Sequence, residues 1–188
     1  MARIVVSEFV SIDGVMEAPG GEPGYRHTNW VGRLQDPGQI QYKLEEVLAH
    51  EALLIGRITY ESFAGAWPSY KGVFADRMNS MPKYVASTTL EDPVWNNTTV
   101  LKGDAMAAVA KLKRDLKGDM VVGGSRTLVN ALKRHDLVDE YRLMVFPVVL
   151  GSGVRVFDET DDATSLKLVD TRPFDNGAVV LTYHVVRP

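Results

Sequence analysis

The chain has 188 residues, 45% of them hydrophobic and 24% charged, with a net charge of −3 from 21 basic and 24 acidic side chains. That length suits one domain around one sizeable core, and the charge balance gives no general attraction for a polyanion such as DNA. There is no cysteine, which excludes disulfides, zinc–thiolate centres and thiol nucleophiles and fits a reducing cytoplasm.

RIVVSEFV at the N-terminus reads as a first strand rather than a signal peptide, because Ser7 and Glu8 break its short apolar run. From Ser11 to Gly38 the chain is irregular and rich in glycine and proline. Loops of that length inside a domain are usually functional or mobile, and this one is a candidate lid. GQIQYKLEEVLAHE, residues 38–51, predicts a helix with Ile40, Leu44, Val47 and Leu48 turned inward. ALLIG (52–56) predicts a buried strand and RITYESFAGAW (57–67) a helix. Strands follow at PKYVAST (82–88) and TTVLKG (98–103), then a helix over 104–116 capped by Asp104. GDMVVGG (118–124) is a strand, and residues 125–134 are a helix with Leu128, Val129 and Leu132 inward. The strand-like DEYRLMVFPVVLG (139–151) holds the longest apolar run, Leu143 to Leu150, too short to span a bilayer. SLKLVDTRPF (165–174) and AVVLTYHVV (178–186) are joined by Asp175-Asn176-Gly177, which predicts a hairpin with a type I′ turn and positive φ at both central residues. β–α alternation followed by a hairpin predicts an α/β fold over residues 1–188: a twisted, mostly parallel sheet flanked by helices, with a C-terminal antiparallel hairpin.

In such sheets ligands bind at the carboxyl ends of the strands. Gly123 and Gly124 stand at one of these ends, just before the helix that starts near Ser125. Glycine admits a close ligand, and free helix N–H groups favour an anion. The same two glycines also suit a tight strand-to-helix turn with Ser125 as N-cap. They match neither the dinucleotide fingerprint, since Leu128 stands where its third glycine belongs, nor a phosphate-binding Gly-Lys-Ser/Thr loop. Two more strand ends carry similar chemistry: Gly56-Arg57 with Thr59, and Ser87-Thr88-Thr89. Arg57 and Arg126 can grip phosphate through forked donors. His27, His50, His135 and His184 lack metal-ligand spacing, so no metal is expected. The acidic run Asp158, Glu159, Asp161, Asp162 lacks the glycine and final glutamate of a calcium loop and reads as a solvated turn.

Gly-Arg-x-Thr-Tyr-Glu, a strand ending in Ser-Thr-Thr, and Val-Gly-Gly-Ser-x-Thr-Leu together resemble the dihydrofolate reductase-like superfamily. More closely, the chain resembles the riboflavin-biosynthesis reductase domain, the C-terminal domain of the bifunctional deaminase-reductase, and its small stand-alone relatives. Ser11-Ile12-Asp13-Gly14 and the segment from Phe146 to Phe157 resemble motifs of that branch. The resemblance implies NADPH-dependent hydride transfer to a small heterocyclic acceptor, pyrimidine-ribityl or pterin-like, by a cytoplasmic homodimer. It implies that Arg57 and Thr59 meet the cofactor phosphates and that Ser87 and Thr88 lie near the adenosine 2′-phosphate. Gly123, Gly124, Ser125, Arg126 and Thr127 would line the pyrophosphate and nicotinamide ribose. Asp13 and Trp30 would lie towards the substrate side: Asp13 is the catalytic candidate, orienting the substrate or relaying a proton, or else bonds its own backbone in a turn with Gly14, and Trp30 stacks on a flat substrate or anchors the loop. The alternative is a member of the same fold that binds a nucleotide or other ligand without turnover.

Overall fold

β-Branched residues dominate the start of the chain. The first strand, β1 (Ile4–Ser11), is buried along nearly its whole length, as a strand covered on both faces must be. The computed structural model describes residues 1–159 and 163–187, so Asp161 and Asp162 of the acidic run lie outside the described residues. After β1 come α1 (Pro37–Ala49), β2 (Ala52–Gly56), α2 (Arg57–Ala66), α3 (Val73–Ser80), β3 (Lys83–Ala86) and β4 (Thr98–Leu101). Then follow α4 (Ala105–Asp115), β5 (Met120–Val122), α5 (Arg126–Arg134), β6 (Glu140–Phe146), β7 (Leu166–Pro173) and β8 (Val179–Val185). The strands form one sheet in the order β4-β3-β2-β5-β1-β6-β8-β7. The six from β4 to β6 run parallel, while β8 lies antiparallel to β6 and β7 antiparallel to β8.

Alternate residues of a strand point to opposite faces. Ile4, Val6, Leu54, Met120 and Val122 pack under α4 and α5, against Val109, Leu128, Val129 and Leu132. Leu53, Ile55 and Val121 face the other way, against Val47 of α1, Tyr60 of α2 and Met78 of α3. Asp104 caps α4 through the Ala107 N–H, and Asp36 caps α1 through Gly38 and Gln39.

Three expectations change. The α1 helix buries Gln39, Glu46 and Val47, while Ile40 is 45% and Leu48 50% exposed. The helix is rolled so that a carboxylate meets cationic partners inside, which hydropathy periodicity alone does not register. The hairpin is not type I′: of its loop residues only Gly177 has positive φ (+85°), and the Gly177 N–H donates to Phe174 O at 3.0 Å. Asn176 instead spends its side chain on Gln39 Oε1 (2.8 Å), the Leu34 carbonyl and the Ala178 N–H (2.9 Å). Helix α3 has no counterpart in the reading of the sequence. Its inward Ala75 and Met78 follow a proline- and glycine-containing stretch that reads as loop.

The segment from Ser11 to Gly38 is stitched down rather than free. It forms a β-bridge, Val15 with Arg155, and the Met16 N–H donates to Val154 O at 2.8 Å. Glu17 accepts from the Val154 N–H (2.7 Å), and the Tyr25 hydroxyl donates to Ser152 O (2.6 Å).

At the opposite end of the sheet, fully buried Lys83 donates to the carbonyls of Asn79 (3.1 Å), Met81 (2.7 Å) and Asn96 (2.9 Å), with its ammonium 4.4 Å from the Trp95 ring centre. Burial pulls its pKa from 10.5 down to about 8. The folded state therefore binds fewer protons than the unfolded state between those values, and this group makes stability rise with pH across that window. Lys83→Met leaves the carbonyls unpaired and is expected to cost about 2 kcal/mol near neutral pH. Denaturant melts of both proteins on either side of pH 8 check it: the wild type should gain stability relative to the variant as pH rises, and parallel curves would refute the assignment.

Candidate active site

The carboxyl ends of the parallel strands bring the candidate residues together. Register places Leu54 beside Val122, Val122 beside Val6, and Gly56 beside Ala86. Two residues further on, Gly124 stands between Gly56 and Glu8, and the Gly56 N–H still donates to Gly124 O at 3.2 Å. Ala86, Gly56, Gly124 and Glu8 thus form a row across the sheet edge.

Neither glycine has room for a side chain. A Cβ on Gly124, whose φ is +92°, would lie 2.7 Å from Thr59 Oγ1, and one on Gly56 would lie 2.5 Å from Ser125 Oγ. The two glycines let the N-termini of α2 and α5 converge. Gly56 and Ser125 are the N-caps, and neither supplies a side-chain cap bond. First-turn N–H groups of both helices are left without a side-chain cap, an arrangement suited to an anion. The Gly124–Ser125 peptide is cis.

The cationic residues lie on the rim. Arg57 is exposed and pairs with Glu61 at 2.7 Å within α2. Arg126 and Thr127 are exposed at the start of α5, and Thr59 is half-buried behind Gly124. Ser87 bends the chain after β3, its Oγ accepting from Thr89 N–H (3.1 Å) and Leu90 N–H (2.9 Å), and Thr88 is exposed beside it. These residues, Gly123 included, occupy the ends of three adjacent strands, β3, β2 and β5.

Asp13 and Trp30 lie elsewhere and are engaged. Asp13 accepts from Ser11 Oγ (2.7 Å), Leu150 N–H (3.1 Å) and Gly151 N–H (2.8 Å). Those donors hold its pKa down to about 2. At neutral pH it is an anion with no proton to give, and it clasps β1 to the loop after β6. Trp30 is 3% exposed. Its indole N–H donates to Glu17 O (2.8 Å), and its ring meets Phe146 edge-on at 5.5 Å. A ring so enclosed anchors the loop against the core.

Near β1 the structure also holds a buried polar chain that the sequence shows only as polar breaks. On the α1 side of the sheet, Glu46 accepts from Ser7 Oγ (2.8 Å), from Lys43 Nζ, and from Arg142 Nη1 at 3.4 Å. Lys43 also donates to Ser7 Oγ (2.8 Å), and its ammonium lies 5.3 Å from the Phe9 ring centre. Arg142 continues to Glu140 (2.6 Å), which Arg3 meets at 2.9 Å. Burial opposes ionisation of Glu46, but Lys43, Ser7 and Arg142 outweigh it and hold its pKa below the usual carboxylate range. Glu8 behaves oppositely. Burial pushes its pKa up to about 8 against the attraction of Lys43 and a hydrogen bond from the Gly124 backbone. Among the described residues no group of His, Asp and Glu is arranged to hold a metal, and no helix is long and apolar enough to cross a membrane.

The RibD C-terminal domain family model matches residues 2–180. Uncharacterized protein YyaP of Bacillus subtilis (strain 168) is 28% identical over 187 residues, covering 97% of this chain and 94% of that protein. The structure superposes on dihydrofolate reductase from Enterococcus faecalis complexed with NADP(H), with a TM-score of 0.60, 18% identity and coverage of 97% and 96%. It also superposes on the diaminohydroxyphosphoribosylaminopyrimidine deaminase/5-amino-6-(5-phosphoribosylamino)uracil reductase of Thermotoga maritima, with a TM-score of 0.67 and 14% identity. That match covers 98% of this chain and 57% of the bifunctional one. The architecture is therefore dihydrofolate reductase-like, and the RibD-type reductase fold extends over the chain.

Proposed function

The chain belongs to the RibD C-terminal domain family, and from that membership and the geometry of the strand ends we propose that it is an NADPH-dependent reductase of a small heterocyclic acceptor. The observation that carries the reading is the pair Gly56 and Gly124, where a Cβ would force Ser125 or Thr59 to shift, between two helix N-termini without side-chain caps. The first turns of α2 and α5 would receive the pyrophosphate, with Arg57, Thr59, Ser125, Arg126 and Thr127 around it and Gly123 and Gly124 against the ribose. Ser87 and Thr88, at the next strand end, would lie beside the adenosine 2′-phosphate. When bound, the dinucleotide supplies the hydride; the protein's part is to fix it and exclude water. The acceptor in this reading is a pyrimidine of the kind named for the Thermotoga reductase.

A homodimer belongs to the same reading. Strand β7 is an exposed edge with Leu168 49% and Val169 43% accessible, surface of the kind a second copy would cover.

Direct titration with NADPH and NADH, followed by tryptophan fluorescence, tests the cofactor assignment. NADPH is expected to bind at micromolar concentration and NADH more weakly. Arg57→Ala should weaken NADPH about tenfold, the loss of one exposed phosphate contact. Absence of binding by either dinucleotide refutes the reductase reading.

A further inference from the structure

Glu8 is the fourth member of the row that contains the two tight glycines. It lies on β1, 8% exposed, and the described residues hold no other buried side-chain oxygen or nitrogen like its Oε1, which has no hydrogen-bond partner. The Gly124 backbone lies close enough to favour its ionised form, and its buried Oε1 is uncommitted. An orphan buried oxygen is costly, and an apolar residue at this position of β1 would avoid that cost. A buried orphan of this kind calls for an explanation, and a catalytic role is one.

Hydride reduction of a C=N or C=O group also needs a proton. A donor must be protonated near neutral pH and free of other commitments. Asp13 is ionised and clasped by three hydrogen bonds. Glu46 is ionised and shared among Lys43, Ser7 and Arg142. Lys43 is already held by Glu46 and Ser7. The charged groups acting on Glu8 are Lys43, which favours its ionisation, and Glu46, which opposes it; burial outweighs both and leaves Glu8 neutral up to about pH 8.

We infer that Glu8 is the proton donor of the reduction, a catalytic residue that delivers its carboxyl proton to the heteroatom of the acceptor as hydride reaches the neighbouring carbon. The inference rests on the reductase reading above. In the balanced step, a hydride pair from the reduced nicotinamide forms the new C–H bond. The π pair of the C=N or C=O bond moves to the heteroatom and takes the proton from Glu8. The products are the N–H or O–H compound, the oxidised dinucleotide and the Glu8 carboxylate, which recovers a proton from water before the next turnover.

The test compares the wild type with Glu8→Gln and Glu8→Asp. Infrared titration of the dinucleotide-free proteins reads the protonated-carboxyl band directly. The wild type should keep, at neutral pH, a band that disappears near pH 8 and is missing from Glu8→Gln. NADPH should bind Glu8→Gln within about twofold of the wild type, because a neutral amide replaces a neutral acid. Single-turnover reduction of 5-amino-6-(5-phosphoribosylamino)uracil should fall at least a hundredfold in Glu8→Gln. The wild-type rate should decline above pH 8, and Glu8→Asp should restore part of the rate. An undiminished rate in Glu8→Gln, or no protonated band at neutral pH, overturns this inference and leaves the reductase reading intact. A wild type that binds no dinucleotide overturns both. If NADPH binds but this uracil is not reduced, the infrared band alone decides, its presence supporting the assignment and its absence refuting it.

Discussion

Gly124→Asp is expected to weaken NADPH binding by a hundredfold or more while the protein still folds. Three effects act together. The new Cβ would lie 2.7 Å from Thr59 Oγ1, so Thr59 or the turn must move. A φ of +92° is one that L side chains rarely adopt. The added carboxylate stands where two helix N-termini are proposed to receive a pyrophosphate, and two like charges in contact cost several kcal/mol. The strain alone is about 1–3 kcal/mol, within reach of a domain with this much buried core. Gly124→Ala carries the steric effects without the charge and should fall between the wild type and the aspartate variant. Gly65→Ala is the control. Gly65 sits in α2 with open space around it, so alanine should raise stability by up to about 1 kcal/mol and leave binding unchanged. Fluorescence titration and thermal melts read both quantities. A folded Gly124→Asp protein with wild-type affinity would mean that this turn is not the dinucleotide site.

Glu46→Leu should be the most destabilising single change on the α1 side, by about 3–5 kcal/mol. Leucine fits the volume but leaves the mostly buried Lys43 and Ser7 with only each other, removing the anion that balances the Lys43 charge, and leaves Arg142 with Glu140 alone. Glu46→Gln keeps an acceptor and should cost about half as much. The acid limb gives the signature. Because the folded-state pKa of Glu46 is depressed, its stabilisation is fully present above its ordinary value of 4.5 and is lost as pH falls through the lower folded value. Urea melts through that range should show the wild type losing its advantage over Glu46→Gln. A constant difference down to low pH would place the stabilisation in packing instead.

Much of the fold was legible because it depends on local order. The apolar runs 52–56 and 120–122 read as buried strands, and the helices after them carry one-sided patterns such as Leu128, Val129 and Leu132. The hairpin was legible from Asp175-Asn176-Gly177, but its turn type was not. Asn176 is held by Gln39 and Leu34, residues far away in the chain. The candidate dinucleotide side was legible in the same way, since Gly-Arg-x-Thr and Val-Gly-Gly-Ser each lie in one short stretch. What holds the candidate acceptor-side residues was not. Asp13 and Trp30 stand out by type and position, yet one is committed to the loop after β6 and the other to the core.

The amino-acid sequence by itself determined the α/β alternation, the edge hairpin and the glycine-tight strand ends, because each follows from periodicity or from a backbone demand that a few adjacent residues meet. Tertiary structure alone decided the roll of α1, the burial of Glu46 among Lys43, Ser7 and Arg142, and the opposite protonation preferences of Asp13 and Glu8. The reason is electrostatic. A carboxyl group's state depends on desolvation and on donors brought within hydrogen-bond distance, and here those donors come from β1, α1, β6 and the loop after β6. No spacing along the chain encodes that meeting.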